Sequence, residues 1–136
     1  MKKKLVIAVL AIMTLTLNGC SQTSITNVEF DTSNVVYTGS SQLTLENAKA
    51  IELTNLKAET TYAGYQIKGV LANGNSFPVR VTVKFSCLNS NDVQTASPLT
   101  ITNIPANTSA EMQGGMVVSD EMPAKINITE INIYPD

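Results

Sequence analysis

Val79-Arg80-Val81-Thr82-Val83-Lys84-Phe85-Ser86-Cys87-Leu88 is the stretch that decides the fold. Its odd positions are all apolar and its even positions are polar until Leu88. Successive side chains of an extended chain point to opposite faces, so this alternation predicts a β-strand with one face in a core and the other in water. Cys87 shares its parity with Val79, Val81, Val83 and Phe85, which places the thiol inside. A thiol buried among apolar side chains acts as a small inert hydrophobe, because reactivity needs an exposed thiolate with basic neighbours.

The same style continues on both sides of this strand. Residues 51–58, 62–72, 98–104, 112–118 and 125–134 each carry β-branched or aromatic residues, and clusters of Asn, Ser, Pro or Gly separate them. Together with 79–88 they predict about six to seven strands. Residues 43–50 hold good helix formers, Leu45, Glu46, Ala48, Lys49 and Ala50, behind Thr44 or Ser41 as caps, and predict one short helix. No series of crossover helices separates the strands, so antiparallel pairing is expected. The fold class that follows is all-β, a single antiparallel β-sandwich of immunoglobulin-like dimensions.

Two irregularities refine this expectation. Ile126 and Ile128 share one parity while Ile131 and Ile133 share the other, so plain alternation would turn half of these isoleucines outward. A β-bulge near Thr129-Glu130 would return all four to one face. Gly114-Gly115 inside 112–118 likewise implies a bulge or a close backbone approach, since glycine weakens an ordinary strand interior.

The N-terminus carries a different pattern. Lys2, Lys3 and Lys4 precede an apolar run over 5–17 broken only by Thr14 and Thr16, and Leu17-Asn18-Gly19-Cys20 closes it. The run is too short for a spanning helix, which needs about 20 apolar residues. It reads as an export signal, with the basic head held on the cytoplasmic side. Leu17 to Cys20 resembles the bacterial lipobox. That resemblance implies signal-peptidase recognition through Leu17, Asn18 and Gly19, cleavage before Cys20, and a diacylglyceryl group on the Cys20 sulfur. Asn18 stands where the motif usually has Ala, Ser, Thr or Val; an ordinary cleavable secretory peptide with an unlipidated Cys20 is the alternative. The domain plan is a removed signal at 1–19, a lipidated cysteine and tether with one strand at 20–42, and the sandwich at 43–136.

Lipidation has two consequences. It would leave Cys87 without a partner in the chain, so stability would rest on the core and not on a disulfide. Cleavage would also remove three of the nine basic residues while all 11 acidic ones remain. Such a surface does not gather nucleic acid, which needs clustered Lys and Arg to displace counterions from phosphate. The lipid alone, with no basic face, is therefore expected to hold the protein at the membrane, outside the cytoplasm of a bacterial cell.

A second resemblance lies in the body of the chain. Gly69-Val70-Leu71-Ala72-Asn73, then Val81-Thr82-Val83-Lys84-Phe85, then Ile104-Pro105-Ala106-Asn107-Thr108 are similar to the FxLYD-type domain of bacterial envelope proteins. The likeness spans about 51–134 and implies an immunoglobulin-like sandwich with an interaction or accessory role. Ser86-Cys87-Leu88 stands where that family has Tyr-Asp, and Pro105-Ala106 replaces its Pro-Gly turn.

Chemistry is narrowed by elimination. The chain has no histidine, so triads and zinc or iron sites built on histidine are impossible within it. Carboxylate pairs such as Asp120-Glu121, Glu29 with Asp31, or Asp92 with Glu111 exist, but neighbours in an extended chain point apart and Met122-Pro123 marks a connecting turn. Asn89-Ser90-Asn91-Asp92 offers about three oxygen ligands where calcium takes 6 to 8, and turn formation explains it more simply. No Gly-rich phosphate loop is present, and there is no Trp for sugar stacking; Tyr62 and Tyr65 differ in parity. Met112, Met116 and Met122 read as core filler or loop. The expectation is a non-enzymatic, membrane-anchored envelope lipoprotein, without cofactor or metal, whose partner is another envelope protein. A small-ligand or glycan binder accessory to a transporter is the alternative.

Overall fold

The computed structural model describes residues 28–136. Among these, ten strands and one short helix follow in order: Glu29–Asp31 (β1), Val36–Gly39 (β2), Leu45–Lys49 (α1), Ile51–Thr61 (β3), Gly64–Asn73 (β4), Val79–Leu88 (β5), Gln94–Ala96 (β6), Leu99–Ile104 (β7), Thr108–Glu111 (β8), Met116–Val118 (β9) and Lys125–Pro135 (β10). In the first sheet β10 pairs with β5 along its whole length. β1 and β2 follow each other along the outer side of β10, and β7 and β6 along the outer side of β5. In the second, β4 is flanked by β3 on one side and by β8 and β9 on the other. The strands therefore occupy seven lateral positions, four in one sheet and three in the other, and the fold is an all-β sandwich.

The stretch at 79–88 forms β5 with the expected boundaries. Val79, Val81, Val83 and Cys87 are completely buried and Phe85 nearly so. Tyr65, Ile67 and Leu71 of β4 are buried in the same hydrophobic core, supplied by the opposite sheet. β10 supplies Ile126, Ile128, Ile131 and Ile133, all within 4% exposure, because its pairing with β5 skips one residue between Ile128 and Glu130. Thr129 is that extra residue, and its hydroxyl donates to Lys84 O at 3.2 Å. The bulge expected from the change of parity is thus present.

β3 holds a second bulge. Ile51 and Leu53 share one parity and the buried Leu56 and Ala58 the other; the register with β4 shifts between Thr54 and Lys57, and Asn55 takes a left-handed φ of 55°. The same parity change was available in the sequence, beside a residue type that tolerates this conformation.

Three features differ from expectation. Antiparallel pairing does not hold throughout, since β1 and β2 run parallel to β10. No tight turn joins them to β10, and the chain between supplies the long connection that parallel pairing requires. The 20–42 segment, expected as a tether with one strand, contributes two, and Val35 and Tyr37 are buried in the core. Tyr62, expected in a strand, sits instead in the two-residue turn between Thr61 and Gly64. The helix forms where expected and is capped by Thr44, not Ser41: Thr44 Oγ1 accepts from Asn47 N while Asn47 Oδ1 accepts from Thr44 N.

One side of the sandwich is sealed. Ile101 N donates to Gln113 O at 3.1 Å and Gly115 N to Leu99 O at 3.3 Å, with a bridge between Thr100 and Gly114. These bonds join the edge of the first sheet to that of the second. Gly114 and Gly115 have φ of +103° and +74°, and a Cβ on Gly115 would lie 2.8 Å from Ile67 O. Both the bulge and the close approach expected of this pair are realised.

Candidate functional site

The residues on which the sequence reading rests most, Leu17, Asn18, Gly19 and Cys20, lie outside the described residues. The remaining candidates fall in three places, at the two ends of the sandwich and along the sealed side.

At one end α1, the turn after β4 and the turn after β7 converge on three asparagines. Asn73 is 2% exposed on the inward face of β4. Its Nδ2 donates to Phe77 O at 2.9 Å and to Ile104 O and Pro105 O at 3.2 Å each, and its Oδ1 accepts from Asn75 N and Nδ2. Asn75 in turn donates to Asn47 O and accepts from Asn47 Nδ2, both at 3.0 Å. Every amide of this cluster has a partner, so it binds turns together and offers no open group to a ligand. The Gly-x-aliphatic-x-Asn strand end and the Ile104-Pro105 turn, widely separated in sequence, meet here through Asn73.

The opposite end gathers the turn at Tyr62-Ala63, the turn at 89–93 and the loop at 119–124. Ser119 N donates to Ala63 O, Ala124 N to Leu88 O and Glu29 N to Ala124 O, so the start of β1 belongs to this end as well. Asn89 Oδ1 accepts from Asn91 N and Val93 N, and Asp92 has φ of 58°. These are turn bonds, as expected. Asn89, Thr95, Ser119, Asp120, Glu121, Met122 and Pro123 surround an open depression of about 280 Å³. Asp120 and Glu121 are exposed, and the Ser119 hydroxyl, which accepts from Glu121 N and donates to Glu121 O, shapes their loop.

The other carboxylate pairs are not brought together as chemistry would require. Asp31 accepts from Ser33 N and Oγ and lies 3.4 Å from Lys125 Nζ; these bonds hold its carboxyl below the usual range, and Glu29 is exposed. Asp92 lies in a turn after the first sheet's β5, whereas Glu111 lies on β8 of the second. Glu59 pairs with Lys68 at 3.1 Å and Lys57 at 3.5 Å, and Glu130 with Lys84 at 3.0 Å; in each the lysine is the first cause of a lowered carboxyl pKa. Among the described residues no group of three His, Cys, Asp or Glu side chains is placed to hold a metal.

Cys87 and Tyr65 are neighbours in the core. Burial pushes the thiol up, and it pushes the phenol up further, with the adjacent thiol adding to the effect. The Tyr65 hydroxyl has no hydrogen-bond partner in good geometry. Both groups stay neutral at ordinary pH, which makes the thiol a packing group and not a nucleophile.

Part of the exposed apolar surface lies along the sealed side. Leu99 and Ile101 point outward from β7 at 47% and 51% exposure, and Met116 of β9 is 57% exposed on the other side of the glycine pair. Met112 is buried and Met122 half-buried, as core filler or loop; Met116 is neither. The edges elsewhere are interrupted: the β1 and β2 edge breaks at 32–35, and the β3 edge is bulged at Asn55 and carries Lys57 and Glu59. Short, bulged and charged edges resist strand addition.

No family model, curated protein or solved structure matches this chain.

Proposed function

We propose that this chain is a lipid-anchored extracytoplasmic protein of a bacterial envelope, whose β-sandwich serves as a non-enzymatic interaction or accessory module. Leu17-Asn18-Gly19-Cys20 supports the anchor, by its likeness to the lipobox. The FxLYD-like motifs support the accessory role, and the alternation in β5 and the parity change in β10 are consistent with such a sandwich.

The observation that carries the interaction role is the exposed apolar row of Leu99, Ile101 and Met116 beside Gly114-Gly115. Leu99, Ile101 and Met116 stay exposed where the two sheets meet, and large apolar side chains left in water are what a partner surface covers. A partner would cover this row through side chains, since the interrupted edges offer no long template for an added strand.

Cross-linked capture of the intact protein from its own membranes tests this reading. A specific protein partner is expected, and it should be lost with Ile101→Asp, which does not touch the core. Recovery of no protein beside a clear glycan or small-molecule signal would overturn it. That outcome would favour the second reading, a small-ligand or glycan binder accessory to a transporter. The depression at Asn89, Thr95 and 119–123 supports that alternative. Replacing Cys20 by Ala tests the anchor separately: release to the soluble fraction is expected, and continued membrane residence would count against lipidation.

A further inference from the structure

We propose that the sandwich end formed by Tyr62-Ala63, the 89–93 turn and the 119–124 loop sits on the surface of a phospholipid bilayer, with Tyr62 and Val118 in its interfacial layer. This inference rests on the reading of Cys20 as lipidated. β1 begins at this end, where Glu29 is paired with Lys125, and both β1 and β2 run away from it in parallel with β10. Only eight residues separate Cys20 from Glu29. Whatever its conformation, a stretch of that length spans at most about 30 Å. β10 has 11 residues. At about 3.3 Å per residue the far end of the sandwich is roughly 35 Å from the entry point, beyond what the linker reaches. The asparagine-bound end is therefore directed away from the lipid, and the entry end faces it.

The chemistry of the entry end agrees with that orientation. Tyr62 is fully exposed at the tip of its turn, Val118 is 83% exposed, and Val93 is 56% exposed. Gly64 pairs with Val118 and Ser119 N bonds Ala63 O, so Tyr62 and Val118 belong to one tip. A tyrosine with an apolar ring and a polar hydroxyl suits the headgroup level of a bilayer. Glu29, Asp92, Asp120 and Glu121 stand at the same end and are exposed. The preferred surface is therefore zwitterionic, because anionic lipid repels these carboxylates.

The chain contains no tryptophan, so a single introduced indole reports its own surroundings. Full-length lipidated protein carrying Tyr62→Trp is placed in phosphatidylcholine vesicles with brominated acyl chains, beside a Leu45→Trp version whose indole lies on α1 at the other end. Emission from position 62 should shift to the blue and be quenched by bromine. Emission from position 45 should be unchanged, and added phosphatidylglycerol should weaken the effect at position 62. Both sites are exposed, so neither replacement disturbs the core. Vesicle-bound, lipidated protein whose position 62 is unquenched, or whose position 45 is quenched as strongly, would overturn the orientation alone. Mass spectrometry showing an unmodified Cys20 would overturn the anchor reading and the orientation with it.

Discussion

Asn73 combines two roles that usually fall to different residues. It occupies a core-facing position of β4, where the alternation calls for an apolar side chain, and spends its amide on three carbonyls and one backbone N–H. Removing it would orphan buried groups on two turns at once. Asn73→Ala should cost about 2–4 kcal/mol, more than a solvated asparagine would, and Asn73→Leu should not recover it. Urea unfolding of the two variants measures this; a loss below about 0.5 kcal/mol would mean that the carbonyls find other donors. Cys87 makes a kinetic prediction. Its buried thiol should react with an aromatic disulfide reagent only at the rate of opening, and fully once urea unfolds the chain. Rapid labelling under native conditions would contradict the burial. Asn55 makes a third: with φ at 55°, Asn55→Val should destabilise by about 1–2 kcal/mol while Asn55→Gly is near neutral.

At the scale of the element, β10 shows how a strand keeps one face apolar across a change of parity. Thr129 is the residue without a partner on β5, so its deletion leaves Ile126, Ile128, Ile131 and Ile133 on a regular alternation with their present register. Deleting Asn132 instead would turn Ile133 outward. The Thr129 deletion should remain folded, and the Asn132 deletion should lose about 3 kcal/mol or more, the usual cost of removing a large aliphatic side chain from a core. Circular dichroism with thermal unfolding of both compares them directly, and equal damage would refute the bulge assignment. The break between β1 and β2 lies along the same part of β10: four residues, 32–35, separate Asp31, paired with Asn127, from Val36, paired with Glu130, and the bulge between Ile128 and Glu130 falls in that interval. A bulge disrupts the ladder on both sides of its strand, and the edge responds by looping out.

For the whole molecule, acid sensitivity follows from three surface carboxylates. Asp31, Glu59 and Glu130 each have a folded pKa below the ordinary value, held there by hydrogen bonds and lysines. A lowered folded pKa contributes stability that is present above the unfolded value and is lost as pH falls through the folded one. The urea midpoint should therefore decline between about pH 5 and pH 2, and the decline should shrink when Glu59 and Glu130 are replaced by Gln. All three pairs are partly exposed, so the effect is modest and should weaken with salt. A midpoint that rises on acidification would reverse the sign of this account.

Much of this architecture is legible in the sequence. The odd-position apolar row of β5, the parity change in β10, the glycine pair and the helix behind Thr44 are local patterns, and a local pattern is imposed by the two-residue period of a strand or the orphan donors of a helix start. What lay beyond the sequence is pairing between remote segments. Nothing in Glu29–Asp31 or Val36–Gly39 announces that they lie parallel to β10, because their partner is some hundred residues away and an edge strand takes whichever direction its entry point permits. Nothing in Asn73 announces Ile104 and Pro105, nor does Leu99 announce Gly115; these contacts exist only once two sheets are stacked. The sequence by itself determined strands, core faces and a candidate anchor, because each is set by neighbours along the chain. The tertiary structure alone decided at which end of the sandwich β1 begins and where the apolar row is exposed, because both depend on the sum of packing between segments that are far apart in sequence.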